Sequence, residues 1–281
     1  MTDAGRMTVV TLVLLAGCAD PAGVPTKPGI SPAASSQLIL HARSRKDGPV
    51  SESELHWDAR KTAVIVCDMW DDHTCKGAAR RVAAMVPRFN EFLRAARAKG
   101  ALVIHAPSDV IPFYKDYPQR RRALEAPSVP APVEIIRRPF DQACEGPFPF
   151  DNEKWHCDCQ PQCPDLRPYP WTREHPGIVI APEDAISADG REIWNLMEAR
   201  GIRNVVMTGV HANYCIVSRS FGIRQMVMLQ RPVVLVRDMT DSLYNPKDAP
   251  FVSHERGTEL VIEHIERYWC ASILSSDLLA P

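Results

Sequence analysis

Apolar residues along this chain gather in short unbroken runs, separated by longer stretches in which they recur at helical spacing. Residues 61–68 read Lys-Thr-Ala-Val-Ile-Val-Cys-Asp, and residues 101–106, 204–210 and 233–236 are apolar runs of the same kind. Continuous runs, as opposed to strict alternation, predict strands buried on both faces of a parallel sheet. Residues 77–99 place Val82, Met85, Val86, Phe89, Phe92 and Leu93 on one helical stripe, closed by Gly100. A second amphipathic helix is predicted over 191–200, stopped by Gly201. A third is predicted over 215–229, and a fourth opens at Ser253-His254-Glu255 and runs to Tyr268. Weaker patterns predict an edge strand at 38–42, strands at 177–180 and 271–274, and helical structure within 109–126. This alternation builds an α/β fold of three layers, a doubly wound and mainly parallel sheet with helices on both faces.

Two segments break the pattern. Residues 127–173 are rich in proline, hold four cysteines and carry no long periodic run. A loop of that length in a compact domain is usually functional or stapled, so it reads as an insertion covering one edge of a site. At the other extreme, residues 1–18 have the form of an export signal. Arg6 is followed by a short apolar run, and Leu15-Ala16-Gly17-Cys18 has the form of a lipoprotein cleavage box with Cys18 as the lipidated residue. Residues 19–37, proline-, alanine- and serine-rich, then serve as a flexible tether, and residues 38–281 form a single domain. The expected location is the periplasm or a membrane surface, with membrane contact only through the lipid.

Composition adds little to this and removes some options. The chain has 281 residues, 45% apolar and 24% charged, with a formal net charge of −1. Near-neutral charge gives no electrostatic reason to expect nucleic acid as a partner. Nine cysteines in an exported chain suggest one or two disulfides. The cluster His156-Cys157-Asp158-Cys159, with Cys163 beyond it, is open to a second reading as a structural zinc site.

Reactive groups in doubly wound sheets collect at the carboxyl ends of the strands. Here those ends carry Asp68, His105, the turn of residues 181–184, the turn from His211 to Cys215, and Asp238. Cys215 stands at the start of a predicted helix, where the partial positive charge of the helix N-terminus favours a thiolate. Asp68 is placed to accept the thiol proton, or else to cap the segment Asp71-Asp72-His73. Trp70, His73, His105 and Asn213 are the expected lining of a small-molecule pocket.

Val-Ile-Val-Cys-Asp-Met-Trp (64–70), Gly-Val-His-Ala-Asn-Tyr-Cys-Ile-Val (209–217) and Val-Leu-Val-Arg-Asp-Met-Thr (234–240) resemble the isochorismatase-like cysteine hydrolases, relatives of nicotinamidases and carbamoylsarcosine amidohydrolases. The resemblance implies a Rossmann-like fold and an Asp-Lys-Cys triad, with Asp68 as base and Cys215 as nucleophile attacking an amide-type C–N bond. It also implies a non-proline cis peptide at Val210–His211, an oxyanion hole from the N–H groups of His211 and Cys215, and possible homo-oligomers. No cofactor is expected. Some relatives bind zinc through Asp-x-His after the second strand; His105-Ala106-Pro107-Ser108-Asp109 lacks that pattern, so no catalytic metal is expected. The triad lysine should fall near Pro182, yet no lysine occurs between Lys154 and Lys247. Glu183 or Asp184 stands in that neighbourhood, and Glu183 is the provisional third member. The missing cation leaves two readings: altered chemistry with His211 or an arginine supplying the charge, or a fold kept for binding alone.

Overall fold

The computed structural model of the protein describes residues 36–46 and 48–279, together with Met1. The export signal, Cys18 and most of the tether lie outside the described residues.

Two strands open the domain, β1 (Gln37–Ser44) and β2 (Ser51–Asp58), paired as an antiparallel hairpin. The parallel part follows as β3 (Thr62–Cys67), α1 (Lys76–Ala98), β4 (Leu102–Ala106), α2 (Pro118–Leu124), α3 (Gln142–Glu145) and β5 (Ala185–Ile186). Then come α4 (Gly190–Ala199), β6 (Asn204–Val210), α5 (Ile223–Met228), β7 (Val233–Asp241), α6 (His254–Tyr268), β8 (Ala271–Ile273) and α7 (Ser276–Leu279). One eight-stranded sheet runs in the order β2-β1-β8-β7-β6-β3-β4-β5. From β3 the chain builds outward through β4 to β5, then returns past β3 to lay down β6, β7 and β8. The strand order therefore reverses between β3 and β6, the place where an open parallel sheet leaves a crevice at its carboxyl edge.

Side chains of β3 explain why it sits at the centre. Ala63, Ile65 and Cys67 pack into the apolar layer that holds Ile193 and Leu196 of α4 and Val261 and Ile265 of α6. Val64 and Val66 face the opposite layer with Val82, Phe89, Phe92 and Leu93 of α1. All six β3 residues are buried, as a strand covered on both faces requires. Each fully buried phenylalanine of α1 contributes on the order of 1.5–3 kcal/mol by leaving water.

Three expected elements differ from the observed ones. Residues 38–42 do form a strand, but not the edge. The edge is β2, whose sequence Ser-Glu-Ser-Glu-Leu-His-Trp-Asp is largely exposed and so shows no apolar signature. Residues 177–180 are not a strand. Ile178 packs into the α1 layer, and the Val179 N–H donates to the Asn90 side chain of α1 at 2.9 Å. The sheet edge is formed instead by Ala185 and Ile186. The helix expected over 215–229 is broken: a turn of wide, π-type winding covers Ala212–Ile216, and α5 begins only at Ile223. Gly222 sits at the break, where a Cβ would lie 2.8 Å from the Ile216 carbonyl oxygen.

At the end of β6, Gly209 adopts φ +104°, and a Cβ there would lie 2.0 Å from the Cys67 carbonyl oxygen of β3. Only glycine lets β6 approach β3 this closely just before the His211–Cys215 turn. Gly201 also has a positive φ of +65°, but open space surrounds it. We expect Gly209→Ala to lose at least about 2 kcal/mol in urea unfolding, and Gly201→Ala about 1 kcal/mol. Equal losses at the two positions would show that close strand approach is not what Gly209 is for.

Candidate active site

Three elements deliver the central groups. β3 ends in Asp68, whose backbone has a positive φ of 49°. Its carboxylate is fully buried and accepts from the Ser108 N–H at 2.6 Å, beyond the end of β4. The turn after β6 carries Cys215, whose thiol lies beside the Asp68 carboxylate, each shifting the other's pKa. One helical turn further, Arg219 places Nε 3.2 Å from Asp68 Oδ2 and Nη2 3.2 Å from Asp109 Oδ2. The Val210–His211 peptide is cis, as the resemblance implies.

Burial pushes the Cys215 thiol pKa well above its ordinary value, and the Asp68 charge raises it further; Arg219 opposes both. Burial likewise raises Asp68, again against Arg219, the Cys215 thiol and Ser108. The thiol is therefore protonated at rest, beside an acid whose charged form the Arg219 guanidinium favours. The expectation of a helix-stabilised thiolate is corrected: the turn is short, and desolvation with an adjacent anion outweighs any dipole.

The cation missing from the expected position comes from two arginines. Arg219 pairs with Asp68. Arg137, on an extended stretch of the insertion, lines the cleft and lowers the Cys215 pKa through its charge. That stretch is anchored by the Arg138 N–H donating to the Ser218 carbonyl at 2.8 Å. Glu183 is exposed in its turn and lies outside the cleft lining, so its assignment as third member is not supported. The expected position near Pro182 lies after the insertion, whereas Arg137 lies within it. His211 supplies no charge: burial and neighbouring His73 lower its pKa to about 3.

The cleft above Cys215 has a volume of about 540 Å³. Of the expected lining residues, Trp70, His73 and Asn213 border it, and so does His211, the expected oxyanion donor. His73 is neutral, its pKa lowered by burial to about 4. Asn213 is also structural, bonding the Leu243 N–H and carbonyl oxygen and the Asn152 side chain. His105 does not reach the cleft. It is fully buried beneath the sheet edge, 3.0 Å from both Glu174 Oε1 and Asp184 Oδ2. Burial disfavours its charged form, but the two acids override this and lift its pKa to about 9. The insertion supplies an aromatic wall missed in the sequence. Tyr169 stacks on Trp171 at 4.0 Å between ring centres, and Trp171 on Trp70 at 4.3 Å. The Nε2 atom of His211, buried and without a hydrogen-bond partner, also borders this space.

The expected disulfides are absent among the described residues, where every cysteine is a free thiol. Cys67 and Cys270 lie apart in the sheet region, Cys144 is exposed beside Asp141, and Cys157 and Cys159 converge with Cys75 instead of pairing.

The sequence model of the isochorismatase domain matches residues 62–249, two thirds of the chain, and the chain belongs to that family. Its homologues are hydrolases. No curated protein matches the sequence. Among solved structures, a cysteine hydrolase from Pseudomonas syringae pv. phaseolicola 1448A is similar at 17% identity and TM-score 0.50, over 79% of this chain and 92% of the other. An isochorismatase family protein from Desulfovibrio vulgaris matches at 17% identity and TM-score 0.46, over 77% and 95%. One from Burkholderia thailandensis matches at 16% and 0.44, over 79% and 95%.

Arg219→Gln removes a cation that holds down the pKa values of both Asp68 and Cys215. The pH midpoint for alkylation of Cys215 by iodoacetamide, followed by peptide mass spectrometry, should move up by about one pH unit. An unchanged midpoint would mean that the guanidinium does not act on the thiol.

Proposed function

We propose that this protein is a cysteine hydrolase cleaving an amide-type C–N bond of a small molecule. Asp68 accepts the Cys215 proton as the sulfur attacks the carbonyl carbon, and the C=O π electrons move onto oxygen. The N–H groups of His211 and Cys215 receive that oxyanion. Collapse of the tetrahedral species expels the amine, which takes the proton back from Asp68, and leaves a Cys215 thioester. Water, deprotonated by Asp68, then hydrolyses the thioester and regenerates the thiol.

The observation that carries this reading is Cys215 beside the buried Asp68 at the floor of an open cleft, with Arg219 on the acid. A buried thiol kept only for packing has no use for a charged carboxylate beside it. Arg219 and Arg137 also remove the main support for a binding-only role, since the site is not short of positive charge. Arg219 stabilises Asp68 as the anion that can act as a base, and Arg137 favours negative charge at the sulfur. The aromatic wall of Trp70 and Trp171 suits a flat acyl group lying against it.

Incubation with a panel of small primary amides, followed by rapid acid quench and intact mass spectrometry, should reveal an acyl adduct on Cys215. Cys215→Ala should lose the adduct and at least about a thousandfold in kcat/KM. Turnover unchanged by that substitution would end the proposal. Export rests on Leu15-Ala16-Gly17-Cys18. Labelling of the expressed full chain with radioactive palmitate should occur and vanish in Cys18→Ser; absence of label in the parent chain would remove the anchor.

A further inference from the structure

Away from the catalytic cleft, the thiols of Cys75, Cys157 and Cys159 converge at the N-terminal end of α1. Their sulfurs and a carboxylate oxygen of Asp158 all lie within 4.8 Å of one another. The Cys75 and Cys159 sulfurs are 4.0 Å apart. A fourth thiol-bearing residue, Cys163, packs against this cluster, its N–H 3.4 Å from Cys157 Sγ. We propose that Cys75, Cys157, Cys159 and Cys163 bind one structural zinc ion as a tetrathiolate. Binding releases the four thiol protons as the sulfurs become ligands.

Geometry favours a metal over disulfides. A tetrahedron with Zn–S of about 2.3 Å has edges of about 3.8 Å, close to the observed Cys75–Cys159 separation. A disulfide would need about 2.05 Å. Three sulfurs within 4.8 Å of one another, with Cys163 packed against them, also fit one ion better than two independent bridges.

Main-chain donors already face the sulfurs, as the surroundings of a thiolate site require. The Gly77 N–H donates to Cys159 Sγ at 3.1 Å, and the Cys163 N–H to Cys157 Sγ at 3.4 Å. Lys76 and Gly77 lie in the first turn of α1, whose N–H groups lack partners within the helix. Gly77 has no room for more: a Cβ there would lie 2.5 Å from Asp158 Oδ1.

Asp158 is the competing fourth ligand, but it is already taken. Its Oδ2 pairs with Arg81 Nη1 at 2.6 Å, and its Oδ1 accepts from the Cys75 thiol at 3.3 Å. With the metal bound, the Asp158–Arg81 pair stays outside the ligand sphere and offsets part of the negative charge of four thiolates.

The site would clamp the insertion to α1. Residues 155–171 bring Trp155, Asp165, Arg167, Tyr169 and Trp171 to the cleft wall, and the thiols fix the near end of that segment. Zinc here is a fastener for the wall and not a participant at Cys215.

Untagged full-length protein, purified under reducing conditions, should carry about one zinc per chain by inductively coupled plasma mass spectrometry. Titration with a mercurial reagent should release that zinc to the indicator 4-(2-pyridylazo)resorcinol. Cys157→Ser and Cys163→Ser should each lower zinc content at least fivefold, while Asp158→Asn and Cys215→Ala should retain it. Should the cysteine variants fail to fold, cobalt(II) exchanged into the parent protein gives a separate readout. It should show intense tetrahedral d–d bands and strong sulfur-to-cobalt charge transfer. Metal-free protein with the masses of two disulfides, iron in place of zinc, zinc lost from Cys215→Ala, or an octahedral cobalt spectrum would each overturn the proposal. None of these readings depends on the reaction proposed for Cys215.

Discussion

A carboxylate buried without water needs a partner, and at the end of β3 that partner is Arg219. Asp68 is completely enclosed; without the guanidinium it would take up a proton to escape the cost of an unpaired charge. The ion pair thus keeps a base alive where a base is useful. It also ties three separate parts of the chain together: the β3 end, the Ser108 main chain past β4, and the turn that follows β6. Buried pairs of this kind add little net stability over apolar packing but are costly to break by half. The geometry around the thiol is therefore specified more firmly than the modest value of any one contact suggests.

The position of this pair follows from topology. β3 and β6 are neighbours because the chain reverses its building direction there, and their carboxyl ends leave room that flanking strands do not. Gly209 allows the two backbones to close up immediately before the crevice opens. A floor of buried strands and a roof of largely irregular structure result. The floor comes from strands that are buried throughout, and the roof from an insertion with almost no regular structure.

The central strands were legible because burial on both faces writes itself as unbroken apolar sequence, as in Val64 to Cys67. α1, α4 and α6 were legible from their stripes. β2 was not, because an exposed edge strand places few demands on side chains. Residues 177–180 misled because Ile178 is apolar for the sake of α1, and apolarity does not say which partner buries it. Within the site, Asp68 and Cys215 stood out through their place at strand ends. Arg219 and Arg137 did not, since arginine is common on surfaces and only a fold shows which one turns inward. The same holds for the insertion's part of the aromatic wall: Tyr169 and Trp171 lie in a segment without period, far from Trp70, which its place beside a strand end did mark.

The insertion is held at both ends by contacts that leave the sheet alone. Near its start, Glu145 accepts from Arg224, His264 and Trp269, bonds that outweigh the burial opposing its charge and bring its pKa to about 2. Near its far end, Thr172 and the Arg173 N–H bind Asp71 just past β3. Mooring of that kind separates inheritance of the reaction from choice of substrate. Exchange of the stretch between these two anchors would redraw the walls of the cleft while the nucleophile, its acid and the register of the strands beneath stayed as they are.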